Sequence, residues 1–220
     1  MTIAENVHLD ALEADVTRQQ RRYQMAKRSL DVGASAVGLL VLSPLLIIVA
    51  AVIRLTSRGP ALYVQTRIGR GGTPFRIYKF RSMCNDAEQR RAALIAKSDR
   101  SGVCFKQKND PRVTPVGRFI RKYSIDELPQ LFNVLIGDMS LVGPRPALPE
   151  EVEEYPKRAL GRLKALPGIT GIWQVSGRAE ISFENMVEKD LDYIKRANII
   201  LDIKLLIVTF GTVVTARGSY

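Results

Sequence analysis

Two adjacent carboxylates, Asp126 and Glu127, open the apolar stretch SIDELPQLFNVLIGDMSLVGPRP, Ser124 to Pro146. As structure, Ser124 and Glu127 match the S-x-x-E capping box, and acids in a first helical turn gain about 0.3–1 kcal/mol from the helix dipole. Pro129 favours an N-cap at Asp126, which puts the proline inside the first turn where it is tolerated. As chemistry, a helix N-terminus also draws phosphate, and phosphate beside carboxylates needs cations between them. A Mg²⁺ held by one or two carboxylates and by substrate phosphate oxygens meets that need, as do arginines with their bidentate grip. Arg145 in GPRP and Arg178 in SGR are of the right type. An aspartate so placed can attack phosphorus and form an acyl phosphate, dividing one transfer into two, provided that the donor is a phosphoanhydride.

The elements that must position these residues begin with a membrane-like segment. Val32 to Ile53 reads VGASAVGLLVLSPLLIIVAAVI, uncharged and bounded by Asp31 and Arg54. It begins too late, runs too long and lacks the cleavage pattern of a secretory signal. About 20 apolar residues suffice to cross a hydrocarbon core of about 30 Å, so length permits a span. Two features favour a re-entrant hairpin instead. Ser43-Pro44 sits mid-run, where proline removes a backbone hydrogen bond, and each half reaches only about 18 Å. Both flanks are basic, with Arg18, Arg21, Arg22, Lys27 and Arg28 before the run and Arg54, Arg58, Arg67 and Arg70 after it, whereas the positive-inside rule wants one such flank.

The chain has 220 residues, with 33 Lys and Arg against 22 Asp and Glu, a formal charge of +11 that implies an anionic partner. Cys84 and Cys104 form no C-x-x-C pair and His8 is the single histidine, so no thiolate or imidazole metal cluster can be assembled; reduced thiols in a cytosolic setting follow. Residues 1–28 form a polar lead-in, 29–55 the re-entrant membrane helix and 56–220 the catalytic domain. ALYVQTRIG and PFRIYKFRS, joined by the turn-rich RGGTP, read as a β-hairpin. Asp86–Ala96 and Glu150–Leu166 read as solvated helices, and Pro167–Arg178 as an irregular loop with glycines placed for tight turns. Phe183–Ala197 is helical in pattern. Ile199–Val214 is apolar but interrupted by Asp202 and Lys204, which suits a buried or interfacial helix better than a second span. The expected fold is α+β: a small, mostly helical domain with a short hairpin, anchored by the helix-break-helix and by interfacial amphipathic helices.

From residue 26 onward the chain resembles the bacterial sugar transferases, the monotopic phosphoglycosyl transferases that start exopolysaccharide and related glycan assembly on a polyprenyl phosphate. KRSLD (Lys27–Asp31), the apolar run with Ser43-Pro44, IYKFRSM (Ile77–Met83), the Ser124–Pro146 stretch, PGITGIWQVSGR (Pro167–Arg178), LDIK and the terminal RGSY carry the resemblance in one order. It implies transfer of a sugar 1-phosphate from a UDP-sugar to undecaprenyl phosphate, with release of UMP. It implies that Asp126 is the covalent nucleophile and that Glu127 helps hold Mg²⁺, that Lys79, Arg145, Arg178 and Asp202 occupy further active-site positions, and that Ser43 and Pro44 form the hairpin break. WQVSGR is similar to the glucose- or galactose-transferring branch. The implied location is the cytoplasmic face of the bacterial inner membrane, among anionic lipids; a paired arrangement there is compatible with the sequence, which does not specify it.

Taken singly, Lys79 also suits a snorkelling surface lysine, Arg145 a turn cap and Asp202 a buried ion pair. Two readings from other classes compete with this one. A nucleic-acid binder would use the charge and the interleaved Tyr78 and Phe80, but no binding module is present and basic residues beside a membrane run have a simpler cause. An inert scaffold for polysaccharide synthesis would be free to lose the dyad and both arginines, which this chain retains.

Overall fold

With no charged side chain between Asp31 and Arg54, nothing interrupts an apolar helix there. The computed structural model describes residues 3–87, 89, 110–176 and 181–215, with the backbone alone at 3–17 and 214, and shows a single helix, α1, over Ile3–Thr56. From Ile3 on, the polar lead-in and the apolar run are one element. By length and composition its Arg18–Thr56 portion could cross a membrane, with a mean hydropathy of 2.9 in its most apolar window. Pro44 lies inside it, and its missing N–H leaves the Leu40 carbonyl without the usual donor. Ser43 Oγ donates to Leu40 O instead, at 2.8 Å. The expected helix break at Ser43-Pro44 is not seen as an interruption: α1 is helical through both residues, with the Ser43 hydroxyl bond in place of the lost amide bond.

The hairpin forms as the alternation predicts. β1 (Leu62–Ile68) pairs antiparallel with β2 (Pro74–Phe80) in the register Leu62 to Phe80 and Ile68 to Pro74, across a 3₁₀ turn at Arg70–Gly72. Residues paired across an antiparallel ladder share a face, so Tyr63, Gln65 and Arg67 line up with Lys79, Ile77 and Phe75. α2 (Pro115–Lys122) follows, N-capped by Thr114, whose hydroxyl accepts from Gly117 N. α3 (Gln130–Ile136) packs on β2 through the fully buried Asn133, whose Oδ1 accepts from Tyr78 N at 3.1 Å and whose Nδ2 donates to Arg76 O at 2.7 Å. That amide satisfies the edge of β2 that β1 does not reach.

β3 (Ser140–Val142) and β4 (Gly168–Thr170) pair in parallel. Gly143 and Gly168 are required by this close approach: a Cβ on Gly143 would lie 2.4 Å from Leu166 O, and one on Gly168 would lie 2.0 Å from Gly143 N. The stretch expected as one solvated helix over Glu150–Leu166 is instead α4 (Pro149–Glu153) and a 3₁₀ segment (Ala159–Lys164), divided at Pro156, with Tyr155, Ala159 and Arg162 buried. Pro156 cannot continue the ladder of the helix before it. The expected loop after Pro167 contains β4 and a helical turn, α5 (Ile172–Val175). α6 (Phe183–Arg196) and α7 (Ile199–Val214) complete the order close to expectation. Of the expected Asp86–Ala96 helix, only Asp86, Ala87 and Gln89 are among the described residues, and they are in a turn. The architecture is mostly helical with two small sheets, as an α+β reading requires.

Three apolar clusters hold these elements together. Ile77, Val134, Met139, Leu141, Tyr193 and Leu205 join β2, α3, β3, α6 and α7. Ala147, Tyr155, Ala159, Phe183 and Val187 seat the segment after β3 on α6. Val49, Ile53, Phe80 and Ile120 fasten the far end of α1 to β2 and α2. The middle of α1, just before its apolar run, is fastened by the KRSLD motif. Lys27 Nζ donates to Val142 O and Asp202, Arg28 donates to Val134 O and Leu135 O at the end of α3, and Asp31 Oδ1 accepts from Leu141 N.

Candidate active site

Asp126 and Glu127 lie on a single 3₁₀ turn, Ile125–Glu127, that leads through Pro129 into α3. The capping box is not formed. Ser124 has φ of 52°, the only positive φ at a non-glycine among the described residues, and makes no side-chain cap bond. It serves instead to end α2, its N–H donating to Arg121 O, in the left-handed position that helices use at their C-termini. The dyad therefore sits in a tight turn between two helices and not at the N-terminus of a long one.

The two carboxylates have different surroundings. Lys79 Nζ donates to Glu127 Oε1 at 2.7 Å, with both side chains partly open to solvent, so the pair orients more than it stabilises. Asp126 has no side-chain hydrogen-bond partner among the described residues. Burial, and then the neighbouring Glu127 charge, push its carboxyl up from 3.8 to about 6, while Lys79 and Arg121 offset part of the rise. Its surface is half-buried, but protein surrounds most of the carboxyl, which is why burial dominates.

Arg145 sits in the GPRP turn that follows β3. Its Nη1 lies 3.2 Å from Glu151 Oε2, and Glu151 also accepts from Leu148 N, which closes the turn. Its backbone is held from behind: Arg162 Nη2 donates to Arg145 O, and Arg162 is itself paired with Asp190 at 2.7 Å and donates to Tyr155 Oη. Burial raises the Asp190 carboxyl to about 6 against the pull of Arg162.

Asp202 is fully buried and accepts from Tyr23 Oη (3.0 Å), Lys27 Nζ (2.9 Å) and Tyr193 Oη (2.7 Å). None of these is a partner of the dyad, so the structure puts Asp202 in the joint between α1, α6 and α7. Its counter-ion is Lys27, so the buried ion pair expected of Asp202 is present. Arg178 lies outside the described residues, as do Gly177 and the terminal RGSY. Ser43 and Pro44 lie in α1 as described above.

A residue that the motifs do not single out also reaches the site. Arg67, at the end of β1, donates through Nη1 to Pro146 O at 3.1 Å and through Nη2 to Gln65 Oε1 at 2.9 Å. Burial, and then the nearby Arg145 charge, hold its guanidinium down to about 10, while Glu151 and Glu127 pull the other way. The strand alternation that places Arg67 on the Lys79 face is the sequence signal that could have found it.

Among the described residues no group of three or more His, Cys, Asp or Glu forms a ready-made metal cage. The dyad fits a cation of the Mg²⁺ kind, which takes one or two carboxylates and completes its shell with water and substrate phosphate. Asp126, with no side-chain hydrogen-bond partner among the described residues, and Glu127 are the residues that would hold it.

The model of the bacterial sugar transferase family matches residues 22–216. The chain is 41% identical to the galactosyl transferase CpsE of Streptococcus agalactiae, over all of this chain and 53% of that protein. It is 43% identical to the undecaprenyl-phosphate galactose phosphotransferase of Salmonella typhimurium, over 91% of this chain and 43% of the relative. It is 39% identical to the exopolysaccharide production protein ExoY of Rhizobium meliloti, over 89% and 88%. The chain belongs to the bacterial sugar transferase family. It spans about half the length of the first two relatives and most of the third.

Proposed function

We propose that this chain transfers a hexose 1-phosphate from a UDP-sugar to undecaprenyl phosphate through a phosphosugar carried on Asp126, at a membrane surface. The observation that carries this reading is the division between the two carboxylates: Glu127 is held by Lys79, while Asp126, its neighbour, has no side-chain hydrogen-bond partner among the described residues. A carboxyl near 6 is ionised at neutral pH and little solvated, which suits a nucleophile.

In the first step an Asp126 Oδ attacks the phosphorus that bears the sugar. The P–O bond to the uridylyl phosphate breaks, UMP departs and an acyl phosphate remains. In the second step a phosphate oxygen of undecaprenyl phosphate attacks the same phosphorus, and the Asp126 carboxylate is released. Lys79 keeps Glu127 oriented beside the reacting atoms, and Arg145, with Arg178, supplies positive charge for the donor's phosphates. Bound Mg²⁺ would neutralise phosphate charge next to the dyad.

The setting proposed is the cytoplasmic face of the inner membrane, with α1 re-entrant. The chain packs on the same domain on both sides of the apolar run, at Lys27 to Asp31 and again at Val49 to Ser57, while Val37, Leu40, Val41, Ile47 and Ile48 between them are exposed. The exposed Phe119 of α2 and Ile200, Ile207 and Phe210 of α7 supply further apolar surface for interfacial contact, and the basic flanks would favour anionic headgroups.

The test is release of UMP by the detergent-solubilised full chain, given Mg²⁺, undecaprenyl phosphate and a panel of UDP-glucose, UDP-galactose and the N-acetylated UDP-sugars. Turnover with a hexose donor, and trapping of a phosphosugar on the protein that Asp126→Asn abolishes, are the expected results. No UMP from any donor would sink the enzyme reading and leave the scaffold.

A further inference from the structure

We propose that Arg67 is a positioning residue: by holding the Pro146 carbonyl it fixes Arg145 at a set separation from Asp126 and Glu127. The inference rests on the transferase reading for its activity readout and on the geometry of the hairpin for its substance.

The hairpin touches both halves of the site. At one end Lys79, directly across from Tyr63, holds Glu127. Four residues further along β1, about 13 Å by strand rise, Arg67 holds Pro146 on the same face. The backbone joins the turn at the same point, for Ile68 N donates to Ala147 O at 2.9 Å. The GPRP turn has other supports: Glu151 on its guanidinium and on Leu148 N, Arg162 on the Arg145 carbonyl, and backbone bonds from Gly143 N to Thr170 O and from Gly168 N to Pro144 O. Those come from α4, the 3₁₀ segment and β4, none of which carries a dyad contact described above. The Arg67 bond and the adjoining backbone bridge are what tie the turn to the strand pair that carries Lys79.

The side chain chosen for this task is a costly one for a simple strut. Its Nε is buried without a partner among the described residues, and its charge lies near that of Arg145. A fork of two donors at fixed angle explains the choice: Nη2 is pinned by Gln65 so that Nη1 meets Pro146 O. Lysine, with one mobile head, cannot hold both partners in one geometry. Burial beside a second guanidinium also leaves net positive charge at the turn, which suits the anionic donor that Arg145 would bind.

The experiment is a double-mutant cycle between Arg67→Gln and Arg145→Ala in the full chain, with Arg67→Lys as a second variant, read both as UMP release and as UDP binding by calorimetry. Misplacing a binding group by about 1 Å can cost about 100-fold, so Arg67→Gln is expected to lower kcat/KM for the UDP-sugar by about that factor with its melting curve retained. Arg67→Lys, which keeps the charge and loses the fork, is expected to lose most of the same factor, and this variant decides the matter if Arg67→Gln does not fold. In the Arg145→Ala background either substitution is expected to cost nothing further. Equal losses in both backgrounds, or no loss in the first, would overturn the proposal. Should the unaltered chain release no UMP, the transferase reading fails by itself, and the cycle is then decided on UDP affinity by the same two outcomes.

Discussion

Asp126 carries an ionisation whose sign can be followed into both activity and stability. Burial and the adjoining Glu127 raise its carboxyl from 3.8 to about 6, so the folded protein favours the protonated acid more than the unfolded chain does. The stability this contributes is fully present below about pH 4 and is lost as pH rises through about 6. Near neutrality the native protein therefore holds an ionised carboxylate at a cost in stability. Asp126→Asn removes the charge and keeps the shape. Thermal melts of the variant and the parent between about pH 4 and 8 should show the variant the more stable at the upper end and the two converging at the lower end. The same group sets the expected pH dependence of UMP release: kcat/KM rises with pH through about 6 and levels off once Asp126 is ionised. A variant less stable than the parent near neutrality, or a rate flat across that window, would remove Asp126 from the role assigned to it.

Elements place the dyad through contacts that its own motif does not contain. Asn133 bonds both Tyr78 N and Arg76 O, so α3 and the turn before it are locked to β2 in the register that brings Glu127 to Lys79. Asn133→Leu fills the same space but leaves two buried backbone groups unsatisfied, at about 1–3 kcal/mol each. Chemical denaturation should show that loss, and UMP release should fall with it. If stability drops and activity stays, α3 does not position the dyad. The hairpin was legible because alternation and the RGGTP turn are local signals, and α6 and α7 because their periodicity is. The dyad and the GPRP arginine were legible as residue types with a chemistry. Neither Ser124 nor Asp126 caps the following helix, because the end of α2 takes Ser124 in the left-handed conformation, a demand written in the preceding helix, and α3 begins only after Pro129. Asn133, Arg67 and the Arg162–Asp190 pair were not singled out because each has its partner far along the chain, 28 residues or more away. Lys27 was not legible as the counter-ion of Asp202 for the same reason: it is 175 residues distant.

At the scale of the whole molecule, α1 is long enough to cross a bilayer yet is fastened to one domain on both sides of its apolar run. A straight helix from Lys27 to Ser57 would measure about 45 Å, more than the hydrocarbon core, and would carry the two attachment points to opposite membrane faces. At one end the attachment is the buried Lys27–Asp202 pair with Tyr23 and Tyr193; at the other it is Arg81, donating to Ser57 and Arg58 carbonyls, above the Val49–Ile53–Phe80–Ile120 cluster. Breaking either set would leave buried charge or donors unpaired, which opposes separating the ends across a membrane. Ser43 Oγ on Leu40 O keeps the proline region hydrogen-bonded where no water is at hand, so a bend there is tolerable in lipid. In the re-entrant arrangement proposed above, both flanks would face the cytoplasm. Single cysteines placed at the exposed Arg22 and Arg58, in a chain freed of Cys84 and Cys104, should both resist a membrane-impermeant maleimide in intact cells and both react after lysis. Labelling of one position from outside intact cells would mean that α1 spans the membrane, and the re-entrant arrangement would have to be abandoned.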